Sequence, residues 1–384
     1  MRRVYLDYNA TTPVDPRVRD AMIPYLGEEY GNPSSLHWAG ARARNDLEQA
    51  RESIAAILGC ESGEIYFTSG GTESSNMAIK GVVCQALKQR QAPVHVVASV
   101  VEHQAVLKTL AFLESSGLIR VTWIPVNAEG ELDPGEFQSA VKDDTVLISA
   151  MFVNNETGNI FPVDAIGKLA SERGIAFHTD AVQAVGKLPV NLKRLSVDLL
   201  SFSAHKFYGP KGAGVLYKRK GVPIVSLIHG GSQEGERRGG TQNMPGIIGC
   251  ARALGCVTAD LDGETARLEK LRAELEEGVL QQVPGARIRG SRQRRVCNTL
   301  NVGFDGVESE SLLVALDREG IAVSSGPACA SGAVEPSHVL MAMGLSPKQA
   351  KGSVRFSLGR GTSQHDIEYV LEKLPDIVKK LRSA

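Results

Sequence analysis

The chain has 384 residues, enough for two or three structural domains, and 42% hydrophobic and 22% charged residues exclude disordered, collagen-like and disulfide-scaffold classes. Lysine plus arginine and aspartate plus glutamate number 43 each, so the net charge is zero and no overall field draws nucleic acid or an anionic membrane. The six cysteines (60, 84, 250, 256, 297 and 329) form no Cys-x-x-Cys pair and the eight histidines no His-x-x-x-His pair, so no metal site is expected.

In chain order, the opening residues lack the roughly 7–15-residue apolar core of a secretory signal, and no run of about 18 apolar residues follows, which favours the cytoplasm. Apolar or β-branched runs predict strands at 64–68, 94–99, 120–125, 145–151, 175–180, 198–203 and 213–217. Helical patterns alternate with them, as βαβ units and a mostly parallel sheet covered on both faces require. Past glycine-rich 230–246 comes an amphipathic helix at 264–282. Strands at 298–304 and 353–358 and helices at 308–319 and 364–382 then suit a smaller α+β domain. The expected division is a large α/β domain at 15–258 and a small one built from 1–14 and 259–384.

Ligands in an open parallel sheet sit at the carboxyl ends of its strands, so 68–71, 154–155, 178–180 and 203–206 are expected to meet in one crevice. The Ser-Gly-Gly-Thr-Glu-Ser stretch at 69–74 reads as a turn into a helix near Thr72. Free amides and the positive dipole end there suit a phosphate, although a capped turn alone gives the same pattern. Lys206 follows an apolar strand and precedes Gly- and Pro-rich sequence. A strand-end lysine taken alone is usually solvated, but Lys206 lies 26 residues after Asp180, which ends its own strand. An acid able to pair with a pyridinium nitrogen and a lysine able to bond an aldehyde cofactor make that spacing specific.

Cys329 lies in a ten-residue run, 324–333, without one large side chain. Low apolar content predicts a mobile loop and a travelling thiol rather than a small buried one. In Ser-Val-Arg-Phe-Ser-Leu, Val354, Phe356 and Leu358 alternate onto one strand face and Arg355 takes the other, either exposed or gripping a carboxylate with its planar fork.

The sequence resembles the cysteine desulfurases of the nitrogenase and iron–sulfur assembly class, within the fold-type I pyridoxal-phosphate enzymes. The resemblance covers essentially the whole chain. It rests on Tyr-Leu-Asp-Tyr-Asn-Ala-Thr-Thr-Pro (5–13), Gly-Asn-Pro-Ser-Ser-Leu-His (31–37), Phe-Thr-Ser-Gly-Gly-Thr-Glu-Ser (67–74), Glu-His-Gln-Ala-Val (102–106) and Asn-Asn-Glu-Thr-Gly (154–158). Further along stand Asp-Ala-Val-Gln (180–183), Ser-Ala-His-Lys (203–206), Arg-Gly-Gly-Thr (238–241), Ser-Ser-Gly-Pro-Ala-Cys (324–329), Glu-Pro-Ser-His-Val (335–339) and Val-Arg-Phe-Ser-Leu-Gly-Arg (354–360).

The resemblance implies pyridoxal 5'-phosphate held on Lys206, its phosphate bound by Gly71, Thr72, Ser203 and His205, and Thr241 reaching it from the other subunit of a homodimer. It places His103 against the pyridine ring, Asp180 at the ring nitrogen, and Gln183 and Asn155 at the ring oxygen or substrate. It assigns Arg355 to the carboxylate of L-cysteine and Cys329 to sulfur capture as a persulfide, for delivery to an iron–sulfur scaffold or other acceptor protein. Pro327 and Ala330 depart from the serine and hydroxyl residue usual in the family, which implies a stiffer loop with fewer hydrogen bonds. Selenocysteine lyase or aminotransferase chemistry at the same site, and a silent sulfur-carrier role, are the competing readings. Cys329 argues against transamination, and Lys206 with Asp180 against silence. No Gly-x-Gly-x-x-Gly after a strand or Gly-x-x-x-x-Gly-Lys-Ser/Thr supports a dehydrogenase or nucleotidase.

Overall fold

The computed structural model of the chain describes residues 2–326 and 335–383. The first strand, β1 (Val4–Tyr5), is short; β2 (Ile65–Thr68), β3 (Val94–Ser99), β4 (Ile119–Ile124), β5 (Thr145–Ser149), β6 (Ala176–Asp180), β7 (Leu199–Ser203) and β8 (Gly214–Lys218) follow. The last seven form one sheet in the order β2-β8-β7-β6-β5-β3-β4, parallel throughout except for β8, which runs against both neighbours. Every residue of β3, β7 and β8 is buried, as expected of strands with helices on both faces.

The helices between strands pack back onto the sheet, Gly71–Ala86 against β7 and β8 among others. Phe177 of β6 and Phe202 of β7 are fully buried, and each such side chain contributes roughly 1.5–3 kcal/mol. These central strands are therefore stiff supports for whatever their carboxyl ends carry.

Beyond helices Met244–Thr258 and Leu261–Gln282, three antiparallel strands, β9 (Ala286–Arg289), β10 (Thr299–Phe304) and, after the short β11 (Ile321–Ala322), β12 (Ser353–Ser357), form a second sheet in the order β12-β10-β9. The amino-terminal strand β1 pairs in parallel with β11, and Ser357 N–H donates to the Leu6 carbonyl (2.7 Å). The first residues are thus stitched to the carboxyl-terminal third, and the next ones run over the end of the large sheet. Thr12 bonds the His205 carbonyl through both its N–H and its hydroxyl (3.0 Å each). Among the described residues no single helix is long and apolar enough to cross a membrane.

Candidate active site

A cavity of about 470 Å³ opens at the carboxyl ends of β6 and β7, where the amino-terminal segment crosses. Gly71, Thr72, His103, Asn155, Asp180, Gln183, Ser203, His205, Lys206 and Arg355 all line it. Thr241 is exposed and lies outside that lining. Cys329 falls outside the described residues.

Two of the expected strand-end residues do not line the cavity. His178, on the same strand face as Asp180 but two residues deeper, bonds Ser149 Oγ (2.9 Å) and Ser201 Oγ (3.0 Å) within the sheet, and Thr179, on the opposite face, is buried with its hydroxyl unpartnered. Burial pushes the His178 imidazole down to about 3, so it is a neutral tie between strands. Only Asp180 of the three reaches the cavity.

Lys206 closes the 3-10 turn Ala204–Lys206 that follows β7. Its ammonium donates to the carbonyls of Asn9 (2.7 Å) and Ala10 (2.6 Å), both carried there by the amino-terminal segment. Burial first, then Arg355, brings its pKa down to about 8, against the opposing pull of Asp7 and Asp180. Near neutral pH a useful fraction of this amine is unprotonated, as a nucleophile or proton carrier requires.

Asp180 is 3% exposed, and its Oδ1 accepts from Val182 N–H (2.9 Å). Burial raises its pKa, opposed by His103 and Lys206, so the carboxyl is short of a cation. His103 caps the helix Gln104–Ser115, its Nδ1 accepting from Ala105 N–H (3.1 Å). That bond places the ring proton on Nε2, and burial favours the neutral imidazole.

The sixteen-residue helix Gly71–Ala86 starts at the cavity with Gly70 as an N-cap that offers no side chain, leaving first-turn amides free for an anion. Gly70 must lie flat against the start of β8: a Cβ on the facing Gly214 would stand 2.4 Å from the Gly70 Cα. Ser203 stands beside this helix start, its Oγ 3.6 Å from where a Cβ on Gly70 would lie, and His205 lines the same cavity with its Nδ1 3.1 Å from Thr11 Oγ1. The imidazole of His205 is held down at about 4, by burial and then by Lys206, so it offers a hydrogen bond rather than a charge.

Arg355 is 4% exposed, not a surface residue of β12. Its Nη2 donates to Asp7 Oδ1 (2.7 Å), its Nη1 to the Asn155 carbonyl (2.9 Å), and its Nε is buried without a partner. The guanidinium is therefore aimed and under-satisfied, a state suited to taking a further anion. Ser324 pairs with Arg355 through both backbone bonds, which brings Ser324 and Gly326 to the cavity rim.

Sequence reasoning assigned no role to Asp7, Asn9, Glu156 or His338, which also line the cavity. The carboxyl of Glu156 accepts from Ser337 Oγ and is raised by burial. His338 Nε2 meets the Glu102 carbonyl (3.0 Å). All four lie inside motifs that carry the resemblance, the one signal that marks them.

The donor set fits pyridoxal phosphate: uncapped helix amides with Ser203 and His205 for a phosphate, a cation-poor buried carboxyl for a ring nitrogen, and an amine of lowered pKa for an aldehyde. The family model for class-V aminotransferases matches residues 4–370. A cysteine desulfurase IscS from Methanosarcina thermophila is 48% identical over 382 residues, covering 100% of this chain and 93% of the relative. A solved NifS-like protein superposes with a TM-score of 0.92 at 40% identity, covering 99% of this chain and 100% of that one. The structure of SspA in complex with cysteine gives 0.82 at 38% identity, with 92% and 98% covered.

Proposed function

The chain belongs to the class-V aminotransferase family, in its cysteine desulfurase branch, and from that premise we propose that it carries pyridoxal 5'-phosphate on Lys206 and uses Cys329 to take sulfur from L-cysteine. The observation that supports this most is the meeting, in one cavity, of the Lys206 amine, the Asp180 carboxyl and the uncapped start of helix Gly71–Ala86. In the net reaction the carbon–sulfur bond of L-cysteine breaks and a sulfur–sulfur bond to Cys329 forms. The thiol proton passes formally to carbon, so the skeleton leaves as L-alanine and Cys329 keeps a persulfide.

The bound cofactor would supply an aldehyde for amine capture and an electron sink for the substrate's breaking bonds. The protein's own part is to hold and orient. Amides of Gly71 and Thr72 with Ser203 and His205 hold the phosphate, and Asp180 holds a proton on the ring nitrogen. His103 contributes a neutral ring and an Nε2 proton; Asn155 and Gln183 supply amide groups to ring oxygen or substrate. Lys206 moves a proton at the substrate Cα. Arg355 receives the substrate carboxylate, exchanging partners with Asp7 or engaging it through Nε.

We place residues 15–258 in a cofactor-binding domain and 1–14 with 259–384 in a small one, which joins Asp7, Asn9 and Arg355 on one side of the cavity. The working unit is a homodimer in which Thr241 of one copy completes the site of the other. Supporting that, Ile23, Leu26, Tyr30, Leu36 and Trp38 stand 56–92% exposed along one short segment, an apolar surface suited to a second copy. The persulfide is passed to an acceptor protein, an iron–sulfur scaffold being the one the names of the relatives suggest.

The test is incubation of cofactor-loaded protein with L-cysteine, followed by alanine assay and mass spectrometry of the Cys329 peptide. Stoichiometric alanine and one added sulfur are expected; selenocysteine turnover without cysteine turnover, or transamination to a keto acid, would contradict the proposal.

A further inference from the structure

A second lysine, Lys187, is buried behind the cavity. The turn after β6 bends at Gly186, whose φ of 80° is left-handed and whose missing Cβ would meet Phe207 Cβ at 2.8 Å. This bend sends Lys187 back inside, 9% exposed, where its ammonium donates to Gln183 Oε1 at 2.6 Å. The other end of that amide, Nε2, donates to the Asn9 carbonyl (2.9 Å), which also receives Lys206 (2.7 Å). Lys187 does not line the large cavity; it lines a small adjoining one together with Lys206, Cys297 and Asn298.

An amide can face two ways, and the choice decides whether it presents a donor or an acceptor. The Asn9 carbonyl only accepts, which fixes Nε2 as the end facing it, and the Lys187 amine keeps an N–H to donate to Oε1 whether charged or neutral, so both ends favour the same orientation. Packing does not explain the residue. Lys206 and Arg355 repel a charge here, and burial together with Lys206 brings Lys187 down to about 7, a cost that a methionine of similar length would avoid.

Resting on the cofactor reading above, we propose that Lys187 is a positioning residue that locks the Gln183 amide with its NH2 toward Asn9 and the cavity, making Gln183 a dedicated hydrogen-bond donor to the cofactor's ring oxygen. It touches neither cofactor nor substrate and acts through Gln183 alone.

The experiment is a mutant cycle of Lys187→Met, Gln183→Leu and the double variant, with Lys187→Gln as a donor-retaining control. It reads pyridoxal phosphate affinity by equilibrium dialysis, the visible spectrum of the loaded protein, and the melting temperature of the cofactor-free form. Lys187→Met is expected to weaken cofactor binding about tenfold, the size of one lost hydrogen bond, and to shift the visible band. Lys187→Gln restores most of that affinity. Within the Gln183→Leu background, Lys187→Met adds less than about twofold, because the group it acts through is gone. The melting temperature of Gln183→Leu, which strands a buried amine, rises when Lys187→Met is added. Additive affinity losses, an unchanged spectrum in Lys187→Met, or equal behaviour of Lys187→Met and Lys187→Gln would overturn the inference. A wild-type protein that binds cofactor and releases alanine while the variants are additive overturns this inference alone; one that does neither overturns the functional proposal with it.

Discussion

The floor and the rim of the cavity are built differently. The floor, Asp180 and Ser203 to Lys206, grows from the ends of two adjacent central strands buried in every residue but Ala176, and each of its side chains is placed by local chain direction. The rim, Asp7, Asn9, Glu156, Ser324 and Arg355, is assembled from segments hundreds of residues apart. Arg355 alone bonds residues 348 and 200 positions away. Floor groups are strained electrostatically: an amine at about 8 and a carboxyl raised by burial. Rim groups are tied to groups brought from distant segments, Arg355 to Asp7 and Glu156 to Ser337, with Arg355 Nε left over for a further partner. Under the proposed function, this difference assigns the chemistry to the stiff part and substrate capture to the part assembled from distant segments.

Removing Lys206 breaks this comparison most severely. Lys206→Ala is expected to abolish alanine formation and the visible absorbance of the loaded protein while leaving the fold intact, as absorbance spectra and circular dichroism check. Asp180→Asn keeps shape but cannot hold the ring-nitrogen proton. Turnover is expected to fall on the order of 100-fold or more, with little change in melting temperature, since a buried charge short of a partner is lost. A rim change acts otherwise. Arg355→Lys retains charge but not the fork, so KM is expected to rise on the order of tenfold while kcat stays within a few-fold, read from steady-state kinetics.

The smallest effect concerns stability. Glu102 precedes His103 and is wholly buried, its Oε1 accepting from Met151 N–H (2.7 Å) and its Oε2 unpartnered. Burial pushes its pKa from the ordinary 4.5 up to about 8, so the folded state keeps a proton that the unfolded chain releases. Its contribution is fully present below pH 4.5 and is lost as pH rises toward 8, so the wild-type melting temperature is expected to fall across that window. Glu102→Gln removes that part of the slope, as thermal melts across the range check.

The floor was legible because its signals are local. The strand patterns at 64–68, 94–99 and 198–203 match the observed strands within one residue, and Asp180 and Lys206, singled out by their spacing, both line the cavity. The strand end is narrower than its last three residues: His178 shares the face of Asp180 but sits two residues deeper, tied to two serines, and Thr179 points to the other face. The rim was poorly legible because nothing local says that β1 will pair with β11 and carry Asp7 to Arg355. Nor does the sequence of β12 reveal that its polar face is covered; Arg355 reads equally as exposed until the amino-terminal segment lies over it. Lys187 was invisible for the same reason, its burial depending on how a turn bends at Gly186.

Borohydride reduction of the cofactor-loaded protein followed by peptide mapping tests the central claim most directly, because it fixes a lysine-held aldehyde where it sits. A pyridoxyl group on the peptide containing Lys206, with the Lys187 peptide unmodified, is the predicted result; a label on Lys187 or another lysine, or no label at all, would contradict the account.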